Sequence, residues 1–187
     1  PCITAPGYLS TLDKQLAEQA ETFKPYSPLA FSLGDDQQYL APSQAACWSP
    51  SCRARFAEWT ERKYGLIANV NEAWSTQYES FDAVAPIKKA DALAAARAAS
   101  PDFGPLCHWV DHALFLDEMF ARWHRERADI VEEIDPGAVA WYDCTVEGWA
   151  RPGSAWDFWK MSERSRISVQ YMNPMVHDIF QSTQQPG

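Results

Sequence analysis

The chain lacks any uninterrupted apolar run of the roughly 18 residues that a membrane-spanning helix needs, and its opening residues lack the basic start and apolar core of a signal peptide. Nothing in it reads as spanning or targeting a membrane. It begins at Pro1 without a methionine, which leaves room for an export signal removed upstream; localisation is otherwise open. A basic cluster is missing as well. The 25 acidic residues outnumber the 16 Lys and Arg for a formal charge of −9, whereas a phosphate backbone demands concentrated positive charge, so nucleic acid is not the expected partner. Low complexity and disorder are also lacking: 187 residues with 47% apolar and 22% charged content suit one ordinary soluble globular domain with a real core.

Cysteine is present but in a pattern that excludes a simple framework. The five residues Cys2, Cys47, Cys52, Cys107 and Cys144 are odd in number, and only Cys47 and Cys52, in "CWSPSC", are close in sequence. Zinc would want a second tight pair or nearby histidines; without them, a structural disulfide or two buried thiols is the preferred reading. His108, His112 and His124 have no adjacent ligand pair and read as helix-surface residues rather than metal ligands. What the chain has in excess is aromatic. Nine Trp, nine Phe and seven Tyr supply rings that suit a core and equally suit the faces of sugars.

From Ser10, "STLDKQLAEQAETF" places Leu12, Leu16, Ala20 and Phe23 at helical spacing, with Ser10 or Thr11 as N-cap and with Pro25 and Pro28 closing the helix. "LAFSLG" is a short continuous apolar run and predicts a strand buried on both faces of a parallel sheet. Beyond a polar loop, Ser49 or Ser51 caps a helix through "CRARFAEWTERKYG" ending at Gly65, and a shorter helix covers "IANVNEAW". The "KKADALAAARAA" stretch is Ala-rich enough to be helical but weak in register, and residues near 88–105 read as an irregular insertion. A long helix is predicted from about Trp109 to Ile134, stopped by "DPG". "AVAWYD" and "ISVQYM" follow as second and third strands, separated by a short helix in "AWDFWKMSE" and followed by a helical "PMVHDIFQS".

This alternation predicts an α/β fold with about three parallel strands and covering helices. Each strand runs into polar or aromatic residues: "GDDQQY", "WYDCTVEGW" and "QYMNP". Ligand sites in parallel α/β folds are built at the carboxyl ends of the strands, so these residues are expected on the functional rim.

The ordered motifs carry a resemblance. A strand ending in Asp35-Asp36, a loop with Cys47 and Cys52, a helix with Phe56 and Trp59 that closes on Lys63-Tyr64-Gly65, then Asn71 to Trp74 and Phe81-Asp82, together resemble the central barrel segment of glycoside hydrolase family 42 β-galactosidases and their clan A relatives. The likeness continues through the long helix, "EIDPGAVAWYD", "WDFWKMSE" and "VQYMNP", leaving out roughly 88–105. It implies a single domain over residues 1–187: part of a (β/α)8 TIM barrel, from about the end of strand 3 to strand 6. It further implies a galactoside-like carbohydrate substrate; the cysteine and histidine spacing leads to no expected metal, and no cofactor is expected. Retaining glycosidases use two carboxyl groups roughly 5–5.5 Å apart, one an acid/base and one a nucleophile. By the resemblance Asp36 is the acid/base and Asp35 takes the place of the preceding sugar-holding residue, while Tyr142, Glu147, Trp149 and Tyr171 line the sugar cleft. The nucleophile, on the seventh strand, is expected beyond Gly187.

Two departures qualify the carry-over. Asp36 stands where the family keeps Glu, one methylene longer, and the nucleophile's strand lies outside the chain. Asn71-Glu72 repeats the clan's acid/base dipeptide but follows a helix, so it reads as a structural turn with Trp74 as a core anchor. Three strands of a closed barrel would expose unpaired edges, which predicts self-association or the remainder of a longer chain. The alternatives to a hydrolase are a non-catalytic sugar-binding or structural module and a metal-stapled domain built on Cys47 and Cys52.

Overall fold

The computed structural model describes residues 2–34, 47–98, 102–144, 155, 157–162, 168–170, 178 and 182. In chain order the elements are α1 (Pro6–Phe23), β1 (Ala30–Ser32), α2 (Pro50–Tyr64), α3 (Ile67–Trp74), α4 (Lys89–Ala98), α5 (Gly104–Ile134), β2 (Val139–Cys144), α6 (Phe158–Ser162) and β3 (Ser168–Gln170). The strands pair in the order β1-β2-β3 and both pairings are parallel. Two compact units divide the chain. Unit 1 comprises Pro1–Ala5, Leu40–Leu116 and Pro152–Ser154; unit 2 comprises Pro6–Tyr39, Asp117–Arg151 and Ala155–Gly187.

Unit 2 contains the sheet. α1 begins at Pro6 rather than at the Ser10 or Thr11 cap expected from the sequence, because proline suits a first helical position where its missing N–H is not needed. The hydroxyls of Ser10 and Thr11 instead donate back to the Gly7 carbonyl, at 3.2 and 2.9 Å. β1 also differs from expectation. Ala30 and Phe31 are half-buried and Ser32 is exposed, so the strand is not covered on both faces; it is the edge strand of the β1-β2-β3 order. Burial is deeper in and before β2, where Ala138 and Ala140 pack with Ala128 and Val131 of α5, and Leu16, Phe31 and Leu33 close around them. Alanines at these positions let a helix approach the sheet closely. Arg127, 3% exposed along its side chain, is held by Asp13 at 2.5 Å and by the Trp123 carbonyl at 2.9 Å, its guanidinium over the Trp123 ring.

Unit 1 is helical. Ser49 is the cap of α2, its hydroxyl accepting from the Cys52 N–H at 3.2 Å with Pro50 at the first helical position, and Gly65 (φ +71°) ends the helix. The Ala-rich segment is the helix α4. α5 starts five residues before the predicted Trp109, where the Asp102 carboxylate accepts from both the Gly104 N–H and the Ser75 hydroxyl, each at 2.8 Å. Glycine is needed there, since a Cβ on Gly104 would lie 2.6 Å from the Trp74 carbonyl carbon. Among the described residues no helix is long and apolar enough to cross a membrane. The helix expected over "PMVHDIFQS" lies outside the described residues apart from Asp178 and Ser182, which are helical.

Candidate functional site

Parallel pairing puts the carboxyl ends of β1, β2 and β3 on one edge of the sheet. Ser32 pairs with Trp141 and Tyr142 with Ser168, and the ladder is extended by the Leu33 N–H donating to the Trp141 carbonyl at 2.6 Å. Just after β1, Gly34 takes φ +145°, a backbone conformation that glycine tolerates and side-chain-bearing residues rarely adopt; the aspartate pair follows it in the sequence. Tyr142 lies in β2 with its backbone in register with β3. Asp35, Asp36, Glu147, Trp149 and Tyr171, the other residues assigned from the sequence, lie outside the described residues. In sequence they directly follow, or come within a few residues of, the three strand ends.

The helical unit holds the most developed polar network. Asp111 is 4% exposed, yet its carboxylate accepts from the Tyr64 hydroxyl at 2.5 Å, from the Trp74 indole N–H at 2.9 Å and from the Lys63 ammonium. Burial and the adjacent Asp111 carboxylate push the Tyr64 phenol far above its ordinary range, fixing it as a donor. This is an anchor: the Lys63-Tyr64-Gly65 end of α2 and the Trp74 end of α3 are both tied to α5. Asn71 has a comparable local role, its side chain joining the Tyr78 N–H (2.7 Å), the Tyr78 carbonyl (2.9 Å) and the Thr76 hydroxyl (3.0 Å); the Asn71-Glu72 dipeptide, expected as a turn after a helix, lies within α3, and its Asn fastens the chain that follows the helix. Trp74 is fully buried, the core anchor that the sequence indicates.

The histidines are interior rather than on the helix surface. His108 bonds the Ala85 carbonyl at 2.8 Å and stacks on Trp74 at 4.0 Å, His124 bonds the Phe120 carbonyl at 3.0 Å, and His112 packs edge-on against Phe56 at 5.1 Å. They lie on the same helical face as Phe115 and Phe120, which carries them inward. Desolvation lowers the pKa of both His112 and His124 to about 4, so these rings are neutral near pH 7. No group of three or more His, Cys, Asp or Glu among the described residues is arranged to hold a metal. Cys2, Cys47, Cys52 and Cys107 are free thiols, and the near neighbour of Cys47 is Cys2, at 3.5 Å between sulfurs, not a disulfide-bonded Cys52.

Comparison with known proteins adds the family. The family model for glycoside hydrolase 42, described as beta-galactosidase, matches residues 1–185. The chain belongs to this family. It is 26% identical to a beta-galactosidase of Thermus thermophilus over 141 residues, which is 73% of this chain and 20% of that protein. Among solved structures, the beta-galactosidase of Bacillus circulans sp. alkalophilus matches with a TM-score of 0.72 at 15% identity over 97% of this chain and 27% of its own. The polyextremophilic beta-galactosidase of the Antarctic haloarchaeon Halorubrum lacusprofundi matches with a TM-score of 0.67 at 21% identity, over 89% and 23%. At those identities the likeness is one of fold. The chain spans about a fifth of the length of the curated relatives it matches.

Sequence reasoning missed Asp111 and Cys2. A signal for Asp111 was present: in "HWVDHALF" it is the one acid inside an apolar stretch, and a buried carboxylate needs donors. Cys2 had no such signal, because its proximity to Cys47 is made by the fold across 45 positions.

Proposed function

We propose that this chain supplies the acid/base half of a retaining β-galactoside hydrolase, with β1, β2 and β3 as three successive strands of a (β/α)8 barrel and residues 1–187 as its central portion. The reading is supported by the sequence order in a family 42 chain: Asp35-Asp36 come directly after Gly34 and within a few residues of β1, whose carboxyl end shares one edge of a parallel sheet with those of β2 and β3. In this mechanism Asp36 donates its proton to the leaving glycosidic oxygen and then, as a carboxylate, takes a proton from the attacking water. Asp35 holds a sugar hydroxyl beside it, and Tyr142, Glu147, Trp149 and Tyr171 line the cleft, with indole and phenol rings against sugar faces. The nucleophile is assigned to the seventh strand of the intact barrel, outside the residues named here.

Leaving-group dependence tests the role of Asp36. In the full-length protein, Asp36→Ala should lower kcat/KM roughly 10²–10⁴-fold for an alkyl β-galactoside. A dinitrophenyl β-galactoside, whose leaving group needs no protonation, should lose far less in its first step. Equal rates for wild type and variant on the alkyl substrate would rule the assignment out. The second reading, a sugar-binding module without turnover, is favoured by one feature: Asp36 is a methylene shorter than the family's Glu. Galactoside binding with no hydrolysis, unchanged in Asp36→Glu, would select it.

A further inference from the structure

We propose that a cleft of unit 1, between the outer face of α2 and the turn at Phe81–Ala83, is a saccharide-binding site with the Trp48 indole as its platform. The cleft measures about 420 Å³, within the size range of small-ligand pockets, and all of its lining residues belong to unit 1. One side is a single stripe of α2, on which Arg53, Ala57 and Glu61 follow at four-residue steps beside Ala54 and Glu58. The other side is Phe81, Asp82 and Val84. Backbone bonds preset it: the Ala83 N–H donates to the Ser80 carbonyl at 3.2 Å and the Val84 N–H to the Phe81 carbonyl at 2.9 Å. The next residue is pinned as well, its Ala85 carbonyl bonded to His108 at 2.8 Å. A wall fixed before the ligand arrives spares the ordering cost of binding.

The chemistry of the lining selects the ligand. Ala57 and Val84, 7% and 1% exposed, give an apolar floor, and Trp48, 43% exposed, offers a ring for the C–H face of a pyranose. Around them stand groups of both signs. Glu58, Glu61 and Asp82 are acceptors, Arg53 is a donor, and the Lys88 ammonium lies 6.0 Å from the centre of the Trp48 ring. An anion would meet the three carboxylates and a cation would meet Arg53 and Lys88, whereas a neutral ligand whose hydroxyls donate and accept is matched by both sets. The polar groups are also available: Arg53, Glu61 and Asp82 enter no ion pair among the described residues, and only Glu58 is engaged, by Arg55 at 3.0 Å. The choice of a galactoside as ligand rests on the proposed function; the site itself does not depend on the role of Asp36.

Fluorine NMR of the full-length protein labelled with 5-fluorotryptophan tests this, the Trp48 resonance being identified by its loss in Trp48→Phe. Titration with methyl β-thiogalactoside, whose sulfur link resists hydrolysis, should shift that resonance saturably. Asp82→Ala and Arg53→Ala, both on exposed side chains, should each weaken the titration about tenfold. Their unfolding midpoints and their kcat/KM on a nitrophenyl β-galactoside should stay at the wild-type values. Asp36→Ala should leave the Trp48 titration unchanged whatever it does to hydrolysis, so an error in the catalytic assignment and an error in this site give different results. A Trp48 resonance that does not move, a titration that keeps its strength in both Asp82→Ala and Arg53→Ala, or an equal response to tetramethylammonium or to inorganic phosphate would each overturn the proposal.

Discussion

Unit 1 has a cluster of rings at its core, whereas the buried residues packed around the sheet of unit 2 are small aliphatic side chains. Phe56 touches Trp59, Trp74, His108, His112 and Phe115 through centroids 5.1–6.3 Å apart, and a charged hub at Asp111 fastens three helices. The sheet's core is Ala128, Val131, Ala138 and Ala140. Large rings fill the spaces between helices, and short residues let a helix approach a parallel sheet closely. The difference teaches a separation of duties: scaffolding is concentrated in unit 1, and the strand ends from which the proposed chemistry is built belong to unit 2.

Four substitutions sharpen or break that contrast. Phe56→Ala should cost most, about 4 kcal/mol by urea unfolding, and amide exchange should accelerate in α2 and α3 while β1 and β2 stay protected. Equal loss of protection in the sheet would show that the two units unfold as one. Asp111→Ala should cost about 3 kcal/mol, because Lys63, Tyr64 and Trp74 lose their common acceptor. Asp111→Asn, which keeps an acceptor, should lose less. Val131→Ala, in the small core, should cost about 2 kcal/mol and free the β2 amides instead.

The smallest effect depends on pH. Desolvation, then the nearby Asp157, raises Asp117 in unit 2 from the ordinary 3.8 to about 6, so the folded state binds its proton more tightly than the unfolded chain. The stability it contributes is full below about pH 4 and is lost as the pH rises through 6. Asp117→Asn should thus gain about 1 kcal/mol at pH 8, a figure reduced for partial exposure, and almost nothing at pH 4. His112 slopes the other way: neutral when folded down to about pH 4, it makes the wild type less stable as the pH falls from 6.5. A gain from Asp117→Asn that is the same at both pH values would show that the carboxyl is not the titrating group.

Periodicity carried much of the fold in the sequence. The 3.6-residue pattern located α2 and α5, the apolar runs located the strands, and Ser49, Gly65 and the proline before β1 marked boundaries through local chemistry that short peptides share. What was illegible depended on distance. The early start of α5 rests on Asp102 reaching Ser75, 27 positions away, and the inward turn of His108 and His112 rests on rings supplied by α2. Polarity alone sent those histidines to the surface, since a neutral imidazole and a charged one look the same in a sequence. For the candidate site, the order of strand and Gly-Asp-Asp was readable because a short apolar run gives way at once to polar residues. The Cys47 neighbour was not, because nearness in sequence favoured Cys52 over a residue at the other end of the unit.

Three donors from two helices share one carboxylate at Asp111, and this makes the fates of positions 63, 64, 74 and 111 contingent on one another. A change at Lys63 is mild while Asp111 keeps two neutral donors, but the same change after Tyr64 has become Phe leaves a nearly naked buried charge. Paths through sequence space that replace this hub must therefore pass through an order, the acid first being neutralised or removed along with its lysine, and the phenol and indole free to drift only afterwards. Double-mutant cycles at Lys63 and Tyr64 would measure that ordering as a departure from additivity.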